Sequence, residues 1–459
     1  MRPAVEAEKA GIPSVVVTLT NFVTVAQLAA RAAGIDDLRT AEYPGAIGVH
    51  LPEIREKIIN VLFDQIIDGL TRPGTGEASR AAGVFDPEEI VCRGSFDDVN
   101  RYFKDNEWTD GLPIVPPTRQ RIEEFLRYTD RPPHEQVAIL PQANLRAVPW
   151  NIAVNGVMAG CRPEDMPILI AAAEAIGDEH FNLNNIGTTW GITPYLLVNG
   201  PIIQQLRIEY AGQLISRGPN PALGRALGLI IRNIAGYRPG KNQMGTFGYP
   251  LAFALAENEA ESPWEPYHVE HGFRREASTV TVGTTLNWGW PPSPYTRPDK
   301  SGAQSALELM CIELTKKPCL PLFAEGGPKG HISDVTFLLA PPVAKALADG
   351  GYSKGQIREY VYQHAKVPVR ELEWMMRYGL VEVQTVRGKV DAGLYPRDFL
   401  VGPDELVRVV SSPDIIHIVV CGDEGRNRMK TLDSGYTHFT TKEIKLPRGW
   451  DTLLAGRRA

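Results

Sequence analysis

Residues 151–177 read NIAVNGVMAGCRPEDMPILIAAAEAIG, and the chain continues through NNIGTTWG (184–191) to ITPYLLVNGP (192–201). Pro163 suits a first helical position and Glu164 and Asp165 suit a first turn. Met166, Leu169, Ile170 and Ala173 then recur at helical spacing as far as Gly177. Cys161 therefore falls at or just before an N-cap. The partial positive charge and unpaired amides there lower a thiol pKa, although Glu164 and Asp165 oppose the effect. The preceding segment, VAILPQANLRAVPWNIAVNG (137–156), reads as extended, so strand, glycine turn and helix follow in the order that opens a site at a strand end. Cys161 is the expected nucleophile or redox thiol; the competing expectation is a small residue packed at a turn.

Working outward, the pattern is that of an α/β protein: mixed or parallel sheets with flanking helices, and Gly/Pro-rich loops at strand ends. GIPSVVVTLTNF (11–22) reads as a buried strand and VAQLAARAAGI (25–35) as a helix. Pro52 starts a second helix whose apolar stripe includes Ile54, Ile58, Val61, Leu62 and Ile66. These first 75 residues would be marginal alone, because so short a segment buries too little surface. A polar, turn-rich linker is expected at 76–96, and it carries Cys92. From 97 to 459 runs a large body. Its two GTT phrases, Gly187–Thr189 and Gly283–Thr285, and the NGP and GGP turns at 199–201 and 326–328 suggest diverged halves at about 97–280 and 281–459.

Composition excludes several classes. With 43% apolar and 22% charged residues, a net charge of −6 and scattered Lys and Arg, the chain has no nucleic-acid footprint. No apolar run approaches membrane-spanning length and the N-terminus is acidic where a signal peptide is apolar, so a cytoplasmic protein is expected. The five cysteines, 92, 161, 311, 319 and 421, are widely spaced and form no disulfide or zinc pattern.

Candidate ligand-binding groups cluster in the glycine turns. Asn184, Asn185, Thr188 and Thr189 can cradle a carboxylate or phosphate, as can the turn at Asn199 and Gly200; a turn satisfying its own backbone is the alternative. Arg225 falls off the apolar stripe of its helix and faces either an anion or solvent, and Thr284 repeats the GTT theme. Glu265, His268 and His271 are close enough in sequence to form a divalent-metal site, though HVEH lacks the HExxH spacing; a histidine acting as general acid or base is preferred. AEGGPKGH (324–331) reads as an anion cradle built on Gly326, Gly327, Lys329 and His331, without the P-loop spacing that would name a nucleotide. No cofactor is named by any motif. Cys421 follows the buried strand DIIHIVV and is a second thiol at a strand end.

GIPSVVV, Phe22, the small-residue helix and YPGAIGVHLPEIREK resemble the latter part of the UGSC-type domain, a thiol or selenol family similar in style to the selenoprotein B component of glycine reductase. The resemblance implies an upstream redox motif, and no residue of 1–75 matches it, so the expectation is either a degenerate copy or a partner subunit that carries the missing half. MAGCRPEDMPILIAAAEA, LLVNGP, GRALGLIIRN and SPWEPYHVEHGF resemble the long partner proteins or C-terminal regions of such families. The expected function is thiol-dependent redox or lyase chemistry on a small carboxylate-bearing molecule. Cys161 would be the nucleophile, His268 or His331 the proton carrier, and the glycine turns the oxyanion donors. The alternatives are a metal-dependent hydro-lyase or hydrolase on Glu265, His268 and His271, and a non-catalytic scaffold subunit; an oligomer is expected.

Overall fold

The structure, a computed structural model, describes residues 2–32, 34, 35, 37–44, 51–72, 88–246, 251–286, 288–317, 319–327, 330–379 and 385–458. Near the N-terminus, β1 (Val16–Leu19) and β2 (Thr40–Tyr43) pair in parallel, and helix Val23–Ala32 covers them. A second helical run, 51–71, contains a π turn at Ile58–Leu62. That turn changes the expected stripe: Leu62 is buried and Ile54 and Ile66 pack on the sheet, but Ile58 and Val61 face outward. The physical reason is register, since one extra residue in a turn rotates the later turns of the helix by about 100°. Most of YPGAIGVH, residues 73–75 and residues 76–87 of the expected linker lie outside the described residues.

The body opens with a hairpin, β3 (Ala138–Leu140) and β4 (Leu145–Ala147). The next stretch is helical rather than extended: Pro149–Ala159 forms a helix that ends at Gly160 with φ 84°. Pro149 is pre-set for a first turn, and the Asn151 side chain accepts the Val148 amide at 2.9 Å. Gly156 lets Phe125 and Leu169 approach so closely that a Cβ there would lie 2.7 Å from Leu169 and 2.8 Å from Phe125. Cys161 thus sits between two helices, not at the end of a strand.

Two sheets organise the rest. In the first, β5 (Thr193–Asn199) is central, parallel to β6 (Phe253–Ala256) and antiparallel to β7 (Thr279–Thr285). In the second, β8 (Val335–Leu339) is central, while β9 (Lys366–Pro368) and β10 (Leu406–Arg408) form a separate small ladder. β11 (Ile416–Val420) is parallel to β8 and β12 (Met429–Asp433) antiparallel to it, and the chain returns to the first sheet as β13 (Thr440–Glu443) on β7.

Alternation along the strands sets the layers. Leu196 and Val198 face helices Pro149–Ala159, Met166–Gly177 and Asn220–Asn233, while Tyr195 and Leu197 face Leu338 and Val419 of the second sheet. Phe337 and Leu339 face helices Gly302–Thr315, Pro341–Asp349 and Lys354–His364. β5, β6, β8 and β11 read as largely apolar runs because they are buried on both faces, between two outer helix layers.

The same order, central strand, parallel neighbour, antiparallel neighbour, occurs in both sheets. The GTT phrases do not mark it: Gly187–Thr189 precedes β5, whereas Gly283–Thr285 ends β7. A boundary at 280/281 would cut β7, and β13 ties the chain's end to the first sheet.

Candidate functional site

A cavity of about 580 Å³ opens at the amino ends of β8 and β11, not at the carboxyl ends expected for open sheets. Its wall carries five imidazoles, His180, His271, His331, His417 and His438, with Asp334, Tyr267 and Phe439. Asp334 directly precedes β8, and His417 is the second residue of β11. His438 and Phe439 directly precede β13, so three strands deliver the central groups.

A chain of polar contacts runs through the wall. Tyr267 Oη lies 2.9 Å from His417 Nδ1, and His417 Nε2 lies 3.5 Å from Asp334 Oδ2. Asp334 Oδ1 is 3.3 Å from His438 Nδ1, and Asp334 Oδ2 accepts the Phe439 amide at 2.7 Å. The rings are held by stacking: His417 on Phe439 at 4.2 Å, His271 on Tyr267 at 4.1 Å and His180 on His438 at 5.2 Å between centroids. His331 Nδ1 is 2.8 Å from Ser411 Oγ, and Gly326 packs beside both.

The two solvent-facing histidines with shifted pKa values are shifted in opposite directions. The hydrogen bond to Asp334, helped by its charge, raises His438 against burial. Burial lowers His271, although its Nδ1 hydrogen bond to the Tyr267 carbonyl partly offsets this. Burial would raise Asp334, yet contacts with His417 and His438 hold it well below the ordinary carboxylate range.

Behind this wall lies a buried charge network that fixes the short helix Tyr267–Glu270. Arg358 bonds Glu270 at 2.5 Å and the Ile416 carbonyl at 2.9 Å, tying that helix to β11 next to His417. Lys354 lies 3.3 Å from Glu270 and 3.8 Å from Glu257, and donates to the Glu265 carbonyl. Glu257 accepts the Tyr267 amide at 2.7 Å; burial, opposed by Lys354, pushes its carboxyl up to about 7.

Of the described residues singled out in the sequence, His331 and His271 line this cavity and the others do not. Cys161 is only 9% exposed, and burial, then Asp165, pushes its thiol up rather than down. The amide of Arg162, which begins the next helical turn, is taken by Asp165 at 2.8 Å, so the helix mouth is already capped. Asn199 and Gly200 spend their donors on Glu257 and Glu259, at 2.5 Å and 2.6 Å, rather than on a ligand. Arg225 is engaged in a bidentate pair with Asp110, at 2.8 and 2.9 Å. Thr284 is closed off in a hydroxyl cluster with Ser434 and Thr437.

Asn185 donates to the distant Tyr436 carbonyl, and the Thr188 hydroxyl accepts the Trp190 amide within its own turn, where Thr189 is exposed. Gly326 donates to the Leu394 carbonyl, and Gly327 lies so close to Gly393 that a Cβ would meet its oxygen at 2.6 Å. Lys329 lies outside the described residues.

Glu265, His268 and His271 diverge. Glu265 pairs with Arg275 at the surface, His268 is wholly buried 3.6 Å from Glu259, and His271 turns to the cavity. A four-residue helix cannot aim positions 268 and 271 at one ion when one side chain packs inward. Among the described residues no group of three or more His, Cys, Asp or Glu is arranged to hold a metal.

Asp334, His417, His438, Tyr267 and His180 were not singled out in the sequence. One signal was present: a lone histidine inside the otherwise apolar run IIHIVV requires a buried polar partner.

The burial of the thiols has a measurable consequence. Cys421, like Cys161, is buried, its thiol pushed up to about 12 by burial and by Glu257. Iodoacetamide labelling with peptide mass mapping is expected to mark the partly exposed Cys92 first and to leave 161 and 421 unmodified until the chain unfolds. Rapid labelling of Cys161 in the native state would contradict this burial.

Comparison with known families bears on the N-terminal module, the parallel pair β1 and β2 with helix Val23–Ala32 and the run 51–71. Residues 1–72 match the UGSC family model. The N-terminal part of the chain is of UGSC type. No curated protein and no solved structure matches the chain. The residues of the histidine cavity fall between Glu179 and Thr441, so the UGSC segment and the cavity occupy separate parts of the sequence. No helix among the described residues is long and apolar enough to cross a membrane.

Proposed function

We propose that the protein is an acid–base enzyme, of lyase or isomerase type, acting on a small carboxylate-bearing molecule in the histidine-lined cavity. The observation that carries this reading is the pair of solvent-facing histidines pushed in opposite directions, His438 upward by Asp334 and His271 downward by burial. Environments that separate two pKa values in one site assign the acid and the base. His271 is the base: its neutral ring takes the proton from the carbon next to the carboxylate. His438 is the acid: its imidazolium gives a proton to the departing oxygen, which leaves as water or an alcohol. The two rings then exchange protons with solvent. His331 and His180 supply further N–H donors at the wall, and the imidazolium of His438 attracts the carboxylate.

The thiol-dependent version of this chemistry receives no group from the site, because no cysteine lines the cavity among the described residues. Titration calorimetry of the full chain with malonate separates the readings. His438→Gln is expected to weaken malonate binding about tenfold near neutral pH, the loss of roughly one charge-assisted hydrogen bond. Cys161→Ser is expected to bind as the parent does. Binding that survives His438→Gln but disappears with Cys161→Ser would reverse the assignment.

A further inference from the structure

Among the described residues, the UGSC segment leaves an apolar helix face uncovered. Along the run 51–71, Ile59, Phe63 and Ile67 are 62%, 59% and 47% exposed, and Ile58, Val61 and Leu70 stand outside with them. Leu62 and Gly69 occupy the opposite face and pack inward, so the helix is apolar on both sides. The stripe from 59 to 70 extends about 17 Å at 1.5 Å per residue. The module beneath it is thin. A two-stranded parallel sheet and two clusters, one around Val16, Ala26, Ala30 and Leu38 and one around Ala41, Tyr43 and Leu62, form its interior. Parallel sheets are ordinarily covered on both faces and extend beyond two strands, so this module lacks burial that a further surface would supply.

We infer that this face pairs with the same face of a second copy of the chain, the two helices running antiparallel about a two-fold axis at Phe63. The spacing is self-complementary. With the axis at 63, Ile59 of one copy meets Ile67 of the other, twice, and Phe63 meets its own counterpart. The charges follow the same symmetry. Exposed Arg55 at one end of the run comes within a helical turn of exposed Asp68 of the other copy, again twice. The acids flanking the stripe, Glu56, Asp64 and Asp68, argue against an anionic membrane surface, which is met by basic flanks.

Analytical ultracentrifugation of the full chain at micromolar concentration tests the pairing. The parent is expected to sediment as a dimer and Phe63→Glu as a monomer. Because Phe63→Glu touches a module with little core, a charge pair provides the independent arm. Arg55→Asp and Asp68→Arg both change exposed residues; each is expected to weaken the dimer roughly tenfold, and together they are expected to restore it. A parent that stays monomeric overturns the inference, as does a dimer indifferent to Phe63→Glu. Charge variants that fail to rescue one another overturn the antiparallel arrangement. A monomer that captures a different protein through this face overturns the second copy as occupant.

Discussion

Asp334→Asn is expected to destabilise the chain by about 3 kcal/mol, the range for removing one member of a buried charged network. The substitution keeps the shape and leaves an oxygen for the Phe439 amide, so the loss comes from the charge facing His417 and His438. The pH dependence identifies the mechanism. The folded-state pKa of Asp334 is depressed, so its contribution is present above the unfolded value of about 3.9 and fades as pH falls through the lower folded value. The folded-state pKa of His438 is raised. Its contribution is full below the unfolded value of about 6.5 and fades as pH rises through the folded value. These are two views of one interaction, and Asp334→Asn removes both. Urea denaturation at acidic, neutral and alkaline pH, together with an NMR titration of the His438 ring, measures it. Unchanged stability with His438 titrating as in the parent would show that Asp334 does not hold the site.

Two glycines of one helix, Asn220–Asn233, are expected to respond to alanine with opposite signs. A Cβ on Gly224 would lie 2.3 Å from the Cα of Phe253 and 2.5 Å from the Ala252 carbonyl oxygen, both backbone atoms of or beside β6 that cannot turn aside. Alanine gains about 1 kcal/mol over glycine in a helix, whereas overpacking a rigid contact costs about 3 kcal/mol. Gly224→Ala is therefore expected to destabilise by roughly 2 kcal/mol. At Gly228 the nearest atom is the Ala252 side chain at 3.4 Å, an ordinary contact. Gly228→Ala is expected to be neutral or to stabilise by up to about 1 kcal/mol. Thermal unfolding of the two variants reads the difference. Equal shifts would mean that the helix does not lie on β6 as described.

Some elements are fixed by signals that are local in the sequence. Ser353 accepts the Gln356 amide and caps helix Lys354–His364, Thr118 caps helix Arg119–Leu126, and ITPYLLVN forms a strand because eight largely apolar residues end at a glycine turn. The errors arise where one local pattern fits two structures. NIAVNGVMAG is small and apolar enough for either strand or helix, and the choice falls to helix through Pro149, the Asn151 cap and close packing across Gly156. Cys161 then changes from an exposed helix-mouth thiol to a buried one, and its pKa moves in the opposite direction.

The site was less legible for a related reason. Asn199, Gly200 and Arg225 have the donor groups that an anion needs, but a sequence does not show that Glu257, Glu259 and Asp110 already occupy them. Tyr267, Asp334, His417 and His438 lie up to 171 residues apart, and no spacing rule joins them.

By itself the sequence determined the α/β class and the UGSC character of its first 72 residues; it named His268 or His331 as the proton carrier, and of these two only His331 lines the cavity. Those properties depend on composition, periodicity and contiguous phrases. Only the tertiary structure decided which polar groups satisfy one another and which face an open cavity. Hydrogen bonding and burial, which set both the charge and the availability of a side chain, are settled by neighbours that the fold brings together from distant strands.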